Sequence, residues 1–221
     1  MPKKKLIHFK ENLTFPYLFQ PQYPDLHPQF RLKSKWNSDF FHNQNPVVLE
    51  IGCGKGEYTV GLARNYPEKN FVGIDIKGAR LWRGCRSAKE NQLKNVAFVR
   101  TLADHIEKIF ASDEISEIWI PFPDPQPKKT RRRFTAPWFL EKFGQIIVPQ
   151  GIIHLKTDNL EYYQFTLDII AEHSHKLLFS TCDLYHSDIS GDIASIRTFY
   201  EKMWLEKGKK ICYVCFQLNR L

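Results

Sequence analysis

The chain has 221 residues, of which 43% are apolar and 25% charged, and its formal net charge is +8. That length suits one domain with a sizeable core, and no apolar run approaches the roughly 20 residues of a membrane helix. Met1-Pro2-Lys3-Lys4-Lys5 has no apolar stretch behind it and does not read as a secretory signal. The cysteines (Cys53, Cys85, Cys182, Cys212, Cys215) are odd in number and scattered, which fits a reducing cytoplasm. Cys212 and Cys215 sit in an apolar run without a second pair, so no metal site is expected. The basic balance points to an anionic partner, nucleic acid first.

Residues 1–45 are basic at the start and then rich in Pro and aromatic residues, as in Phe15-Pro16-Tyr17 and Pro21-Gln22-Tyr23-Pro24. Pro spacing argues against a long helix there, so this part reads as an extended arm whose aromatics pack on the core or stack on bases. A domain is expected from 46 to 221. Its strands read at 47–51, 70–75, 96–100, 116–120 and 151–157, and its helices at 57–65, 77–92, 104–110, 136–147 and 160–173. Thr135 followed by Pro137 reads as a helix cap. The tail adds a strand at 177–183, a helix at about 193–207 and a strand at 210–218, with an antiparallel edge expected at the end. Alternating β and α of this pitch give an α/β fold, a mostly parallel sheet with helices on both faces.

The first strand runs into Glu50-Ile51-Gly52-Cys53-Gly54-Lys55-Gly56-Glu57, and the second ends in Asp75. Glycines permit positive φ and a close backbone approach to a ligand, and a carboxylate at the second strand tip suits ribose hydroxyls. A dinucleotide site wants G-x-G-x-x-G facing pyrophosphate. Here the spacing is G-x-G-x-G with carboxylates beside it, which would repel pyrophosphate and attract an ammonium or sulfonium. At about 4 Å and an effective dielectric near 20, such a contact is on the order of 4 kcal/mol before desolvation. S-adenosylmethionine carries both cations and a ribose, and Glu50, Gly52, Gly54, Gly56 and Asp75 are the residues expected to hold it.

Beyond the fourth strand lies Pro121-Phe122-Pro123-Asp124-Pro125-Gln126-Pro127-Lys128-Lys129-Thr130-Arg131-Arg132-Arg133. Prolines stiffen it around Asp124, and the basic run, with Lys128, Arg131, Arg132 and Arg133, suits phosphates. Asp158 ends the next strand and reads either as a helix cap or as a pocket carboxylate. Lys77, Arg80, Arg83, Arg86 and Lys89 recur at three-residue steps on one helix, giving either a solvated face or a contact with phosphates.

The runs Leu49 to Gly56, Gly73-Ile74-Asp75, Phe122-Pro123-Asp124-Pro125, Lys156-Thr157-Asp158-Asn159 and Thr198-Phe199-Tyr200-Glu201 together resemble the bacterial tRNA (guanine-N7-)-methyltransferases. The resemblance spans 47–218. It implies a Rossmann-like class I methyltransferase with a seven-stranded sheet, acting with S-adenosylmethionine on a guanine of the tRNA variable loop. It implies Asp124 as catalytic and in contact with the cofactor together with Glu50 and Asp75. Lys128, Asp158 and the segment Thr198, Tyr200, Glu201 would bind the guanosine and its surroundings. This chain departs from the family at Gln126, where Trp is usual, in a shorter basic run without His, and at Leu102, where a cofactor-binding Asp is expected and Asp104 lies two residues on. Two other readings of the scaffold are an exocyclic-amine methyltransferase and a catalytically inactive RNA-binding protein. Monomer and homodimer both remain open.

Overall fold

The computed structural model describes residues 3–189 and 191–220. The chain forms two compact units, Met1–Ala111 and Ser112–Leu221.

In the first unit, helix α1 (Lys3–Asn12) and the two-residue strand β1 (Leu18–Phe19) precede β2 (Val47–Ile51). Then come α2 (Glu57–Asn65), β3 (Asn70–Asp75), α3 (Gly78–Glu90), β4 (Val96–Arg100) and the short α4 (Ile106–Ile109). The four strands lie in the order β1-β4-β3-β2, all parallel. β2 is buried at all five positions and β3 at its first five, because a parallel strand covered on both faces reads as a continuous apolar run. Trp36 is fully buried. Its Nε1 donates to the carbonyl of Ile109 at 3.2 Å and its ring is surrounded by Phe19, Phe30, Phe40, Phe41 and Phe110. Burying so large a side chain is worth about 3 kcal/mol or more, and Phe15, Phe19, Phe30, Trp36 and Phe41 pack into this unit while Tyr23 stays exposed.

The expectation of an extended arm needs correction at its start and in its middle. Residues 3–12 are helical, and Leu18–Phe19 joins the sheet beside β4. The helix is held by tertiary contacts with α3. His8 stacks on Trp82 at 3.7 Å, and the Nδ2 of Asn12, fully buried, donates to the carbonyl of Gly78 at 2.9 Å.

The second unit holds β5 (Ile115–Pro121), α5 (Pro137–Gly144), β6 (Ile147–Thr157), α6 (Leu160–Glu172), β7 (Lys176–Thr181), α7 (Asp192–Ser195), α8 (Phe199–Glu206) and β8 (Cys212–Gln217). Its strand order is β5-β6-β8-β7, with β5 and β6 parallel and β8 antiparallel to both neighbours. The antiparallel C-terminal edge is therefore as expected, and β1 is the strand added to the expected seven.

Two local expectations differ. The helix read across 193–207 is broken, because Thr198 caps α8: its hydroxyl accepts from the backbone N of Glu201 at 3.1 Å while the Glu201 carboxylate accepts from the backbone N of Thr198 at 3.3 Å. The cap residue of α5 is Ala136, with Pro137 at the first helical position. Thr135 is instead buried, with its hydroxyl 2.8 Å from that of Thr166. Among the described residues no helix is long and apolar enough to cross a membrane.

Candidate active site

In the first unit the chain leaves β2 through Gly52, Gly54 and Gly56, at φ 68°, 56° and 69°. At Gly56 a Cβ would also stand 2.8 Å from the ring of Phe98. At Gly54 a Cβ would meet only the carbonyl oxygen of Gly52, at 3.9 Å, so the turn opens onto free space there. Asp75, at the tip of β3, is tied to both sides of this opening. Its Oδ2 accepts from the backbone N of Gly54 at 3.0 Å and its Oδ1 from the backbone N of Lys77 at 2.7 Å. These bonds orient the carboxylate and leave it further lone pairs. Just beyond the tips of β3 and β4, Ile76 and Leu102 are 50% and 46% exposed, and the register pairs Asp75 with Arg100, so the two strand ends are neighbours. The expected acidic residue is therefore an exposed leucine, with Asp104 half-buried in the turn that follows.

Glu50 does not line this opening as a free charge. It is buried, and its Oε2 accepts from the backbone N of Thr59 at 2.7 Å and from the Thr59 hydroxyl. The N-cap of α2 is Gly56, which has no side chain to satisfy the first-turn N–H groups, so the Glu50 carboxyl does so from the strand. Burial pushes its pKa up to about 8; the bonds from Thr59 oppose the rise, and Glu57 and Asp75 add to it.

In the second unit β5 and β6 run parallel with Pro121 opposite Lys156, so the Asp124 loop and Asp158 leave adjacent carboxyl ends. Asp124 is exposed, and its Oδ1 accepts from the backbone N of Gln126 at 3.1 Å. Phe122 and Gln126 carry positive φ of 52° and 46°, a costly backbone on either side of Asp124. Lys128, Arg131 and Arg132 are exposed, and Arg132 lies 5.5 Å from the ring centre of Trp138.

Arg133, expected among the phosphate ligands, is 1% exposed. Its Nε donates to the carbonyl of Pro125 at 2.9 Å, its Nη2 pairs with Glu161 at 2.6 Å, and its guanidinium lies over Tyr162 and Phe165. It therefore tethers the Asp124 loop from within and does not present its charge to a ligand.

Asp158 is not the cap of α6. Asn159 is, accepting from the backbone N of Tyr162 at 2.7 Å, while Asp158 pairs with Lys209 at 2.8 Å. Tyr200 is exposed on the first turn of α8, whereas Thr198 and Glu201 are buried beneath it. Glu201 meets the Nζ of Lys156 at 2.5 Å and accepts from the Tyr185 hydroxyl at 2.7 Å. The Lys156 ammonium also donates to the carbonyl of Ile193 at 2.6 Å, and burial lowers its pKa to about 8 against the raising effect of Glu201. Lys156 is a functional candidate that composition and motifs miss; its signal is a lysine directly after the apolar run Gly151-Ile152-Ile153-His154-Leu155, a buried charge that needs a partner.

A family described as "Putative methyltransferase" matches residues 44–214. Among curated relatives, the tRNA (guanine-N(7)-)-methyltransferase of Christiangramia forsetii is 48% identical, over 98% of this chain and 99% of that one. The enzyme of the same name from Bacteroides fragilis is 46% identical, over 99% of this chain and 87% of the relative. Among solved structures, the 16S rRNA methyltransferase KamB matches at TM-score 0.64 and 13% identity, covering 82% of this chain and 92% of that chain. At that identity the likeness speaks for the fold, which is that of a class I methyltransferase. The strand-tip carboxylate at an open glycine turn, the stiffened Asp124 loop and the relatives agree, and the chain belongs to the tRNA (guanine-N(7)-)-methyltransferase family.

Proposed function

We infer that this protein transfers the methyl group of S-adenosylmethionine to N7 of a guanine in the variable loop of tRNA. The observation that carries the cofactor half is the Asp75 carboxylate, held by two backbone N–H groups at the edge of a turn that is open above Gly54. When bound there, S-adenosylmethionine supplies a methyl group on a positively charged sulfur. Asp75 would accept hydrogen bonds from the ribose hydroxyls, Gly52, Gly54 and Gly56 would let the backbone come close, and Ile76 and Leu102 would offer apolar surface to the adenine. Glu50 holds the turn against α2 and is the reserve of negative charge behind it.

Guanine N7 has an in-plane lone pair and no proton, so no side chain needs to act as general base. The task is aim, and orientation alone can supply several kcal/mol. Asp124 stabilises the positive charge that develops on the purine, or holds the base through its exocyclic amine. Lys128, Arg131 and Arg132 grip phosphates, while Arg133 keeps the Asp124 loop in place. Asp158 and Tyr200 form the substrate side at the start of α8, which Thr198 and Glu201, expected there as direct ligands, support from beneath. Residues 46–221 are the methyltransferase domain in this reading and 1–45 an appended segment, and the protein works in the cytoplasm with its tRNA.

Incubation with labelled cofactor and unmodified tRNA, followed by reduction and aniline treatment, cleaves the product at 7-methylguanosine. A product that resists cleavage and carries its methyl on an exocyclic amine would overturn the reading. A protein that binds tRNA but shows no heat with S-adenosylmethionine would be the RNA-binding alternative. Asp124→Ala is expected to lower kcat by about 10²–10³-fold with the fold intact, and wild-type turnover would remove Asp124 from the centre.

A further inference from the structure

Resting on the tRNA reading above, we propose that the outer face of α3, from Lys77 to Lys89, is an additional docking surface for the sugar–phosphate backbone of tRNA. α3 buries Leu81, Gly84, Cys85 and Ala88, and the other side carries Arg80, Arg83, Arg86 and Lys89 after the flanking Lys77. Arg83, Arg86 and Lys89 are exposed.

This arrangement breaks the rules that an ordinary solvated helix follows. Each successive cation is three residues from the last, so like charges neighbour one another in a row that winds round the helix, with Arg83, Arg86 and Lys89 on its exposed side. The first turn contains no acidic residue, and Lys77 and Arg80 stand at the positive end of the helix dipole. Over 77–90 the only carboxylate is Glu90, paired with Arg86 at 3.2 Å where both are about half exposed, a weak compensation. Arg83 and Lys89 have no acidic partner among the described residues. A face that met only water would mix its signs. A local rule broken with so little compensation at Arg83 and Lys89 marks a place where function is served, and a polyanion supplies what these two residues lack.

Placement and rigidity agree. α3 begins three residues after Asp75, so the ridge starts at the cofactor turn. Its 13 residues extend about 20 Å, long enough to track several backbone phosphates. α1 braces it: Trp82 stacks on His8, its indole N–H donates to Glu11, and Arg86 lies 5.3 Å from the Trp82 ring centre. Between them is a cleft of about 540 Å³ that Glu11 and Glu90 line as well as Thr14, Phe15, Arg86 and Lys89, so the part of the face free of carboxylates is the one around Arg83. Side chains ordered in advance lose less entropy when they bind.

The test is the full chain with Arg83→Ala and Lys89→Ala combined, against a control with Lys35→Ala and Lys176→Ala, titrated with an unmodified tRNA transcript over a range of salt. The α3 variant is expected to bind tRNA at least about tenfold more weakly and to lose about one to two units of salt slope. Its affinity for S-adenosylhomocysteine and its kcat at saturating tRNA should stay at wild-type values, which a merely misfolded variant would not show. Unchanged affinity and slope, or an equal loss in the control, would overturn the proposal. Wild-type protein that binds tRNA through these residues yet forms no 7-methylguanosine would sink the functional reading and leave this surface standing.

Discussion

Among the described residues two glutamates are buried, and they are treated in opposite ways. Glu201 is given a cation: the Lys156 ammonium lies 2.5 Å away, both side chains fully enclosed. Glu50 is given only the two donors of Thr59, and its pKa rises to about 8. A paired buried charge is structure, since removing one partner strands the other. A buried acid without a cation holds its proton more tightly than an exposed one, and a positive ligand beside it would favour its charged form. The difference separates a residue that holds α8 in place from one whose charge, in the proposed function, a cationic cofactor would draw out.

The most severe way to break the contrast is Lys156→Ala, which leaves Glu201 buried without its cation and should destabilise the protein by about 3–5 kcal/mol in urea denaturation. Replacing both partners together, Lys156→Met with Glu201→Leu, should recover much of that loss; equal losses would show that the charge pair is not the cause.

Next is the pH dependence of Glu50. Its folded pKa of about 8 lies above the usual 4.5, so between these values the unfolded chain has released a proton that the folded chain retains. Stability from this group is therefore full below about pH 4.5 and lost as pH rises towards 8. Glu50→Gln cannot ionise, and its stability should fall between pH 5 and 8 by roughly 2–4 kcal/mol less than that of the wild type. Parallel curves would contradict the assignment.

Cofactor binding sharpens the same point. At pH 7 the wild type should release up to about one proton from Glu50 on binding S-adenosylmethionine, read as a dependence of calorimetric heat on the ionisation enthalpy of the buffer. The release should be absent in Glu50→Gln. The smallest effect is Thr198→Ala, which removes the α8 cap above Glu201 and should cost about 1 kcal/mol.

Much of this was legible in the residues. β2, α2, β3 and β4 occupy the spans that apolar runs and the glycine turn imply, because continuous apolar strands and positive-φ glycines are local signals. Asp75 and Asp124 stand at strand ends because the alternation of β and α fixes which end a loop leaves. What failed was decided by contacts between distant residues. Nothing in Lys128 to Arg133 distinguishes its last arginine; Glu161, Tyr162 and Phe165, which take Arg133 inside, come from another helix. Helix α1 owes its place to Trp82 and Gly78, some 70 residues away in sequence. The break before α8 was readable, since Thr198-Phe199-Tyr200-Glu201 has the spacing of a capping box.

The side chain of Asn12 grips the carbonyl of Gly78, one residue beyond the Lys77 amide that holds Asp75. Helix α1 is thereby moored to the peptide run that presents the Asp75 carboxylate, the group proposed to hold the ribose. A fluorophore on Lys10, on the open side of α1, would sit two residues from that mooring and report by its brightness when the nucleoside seat fills.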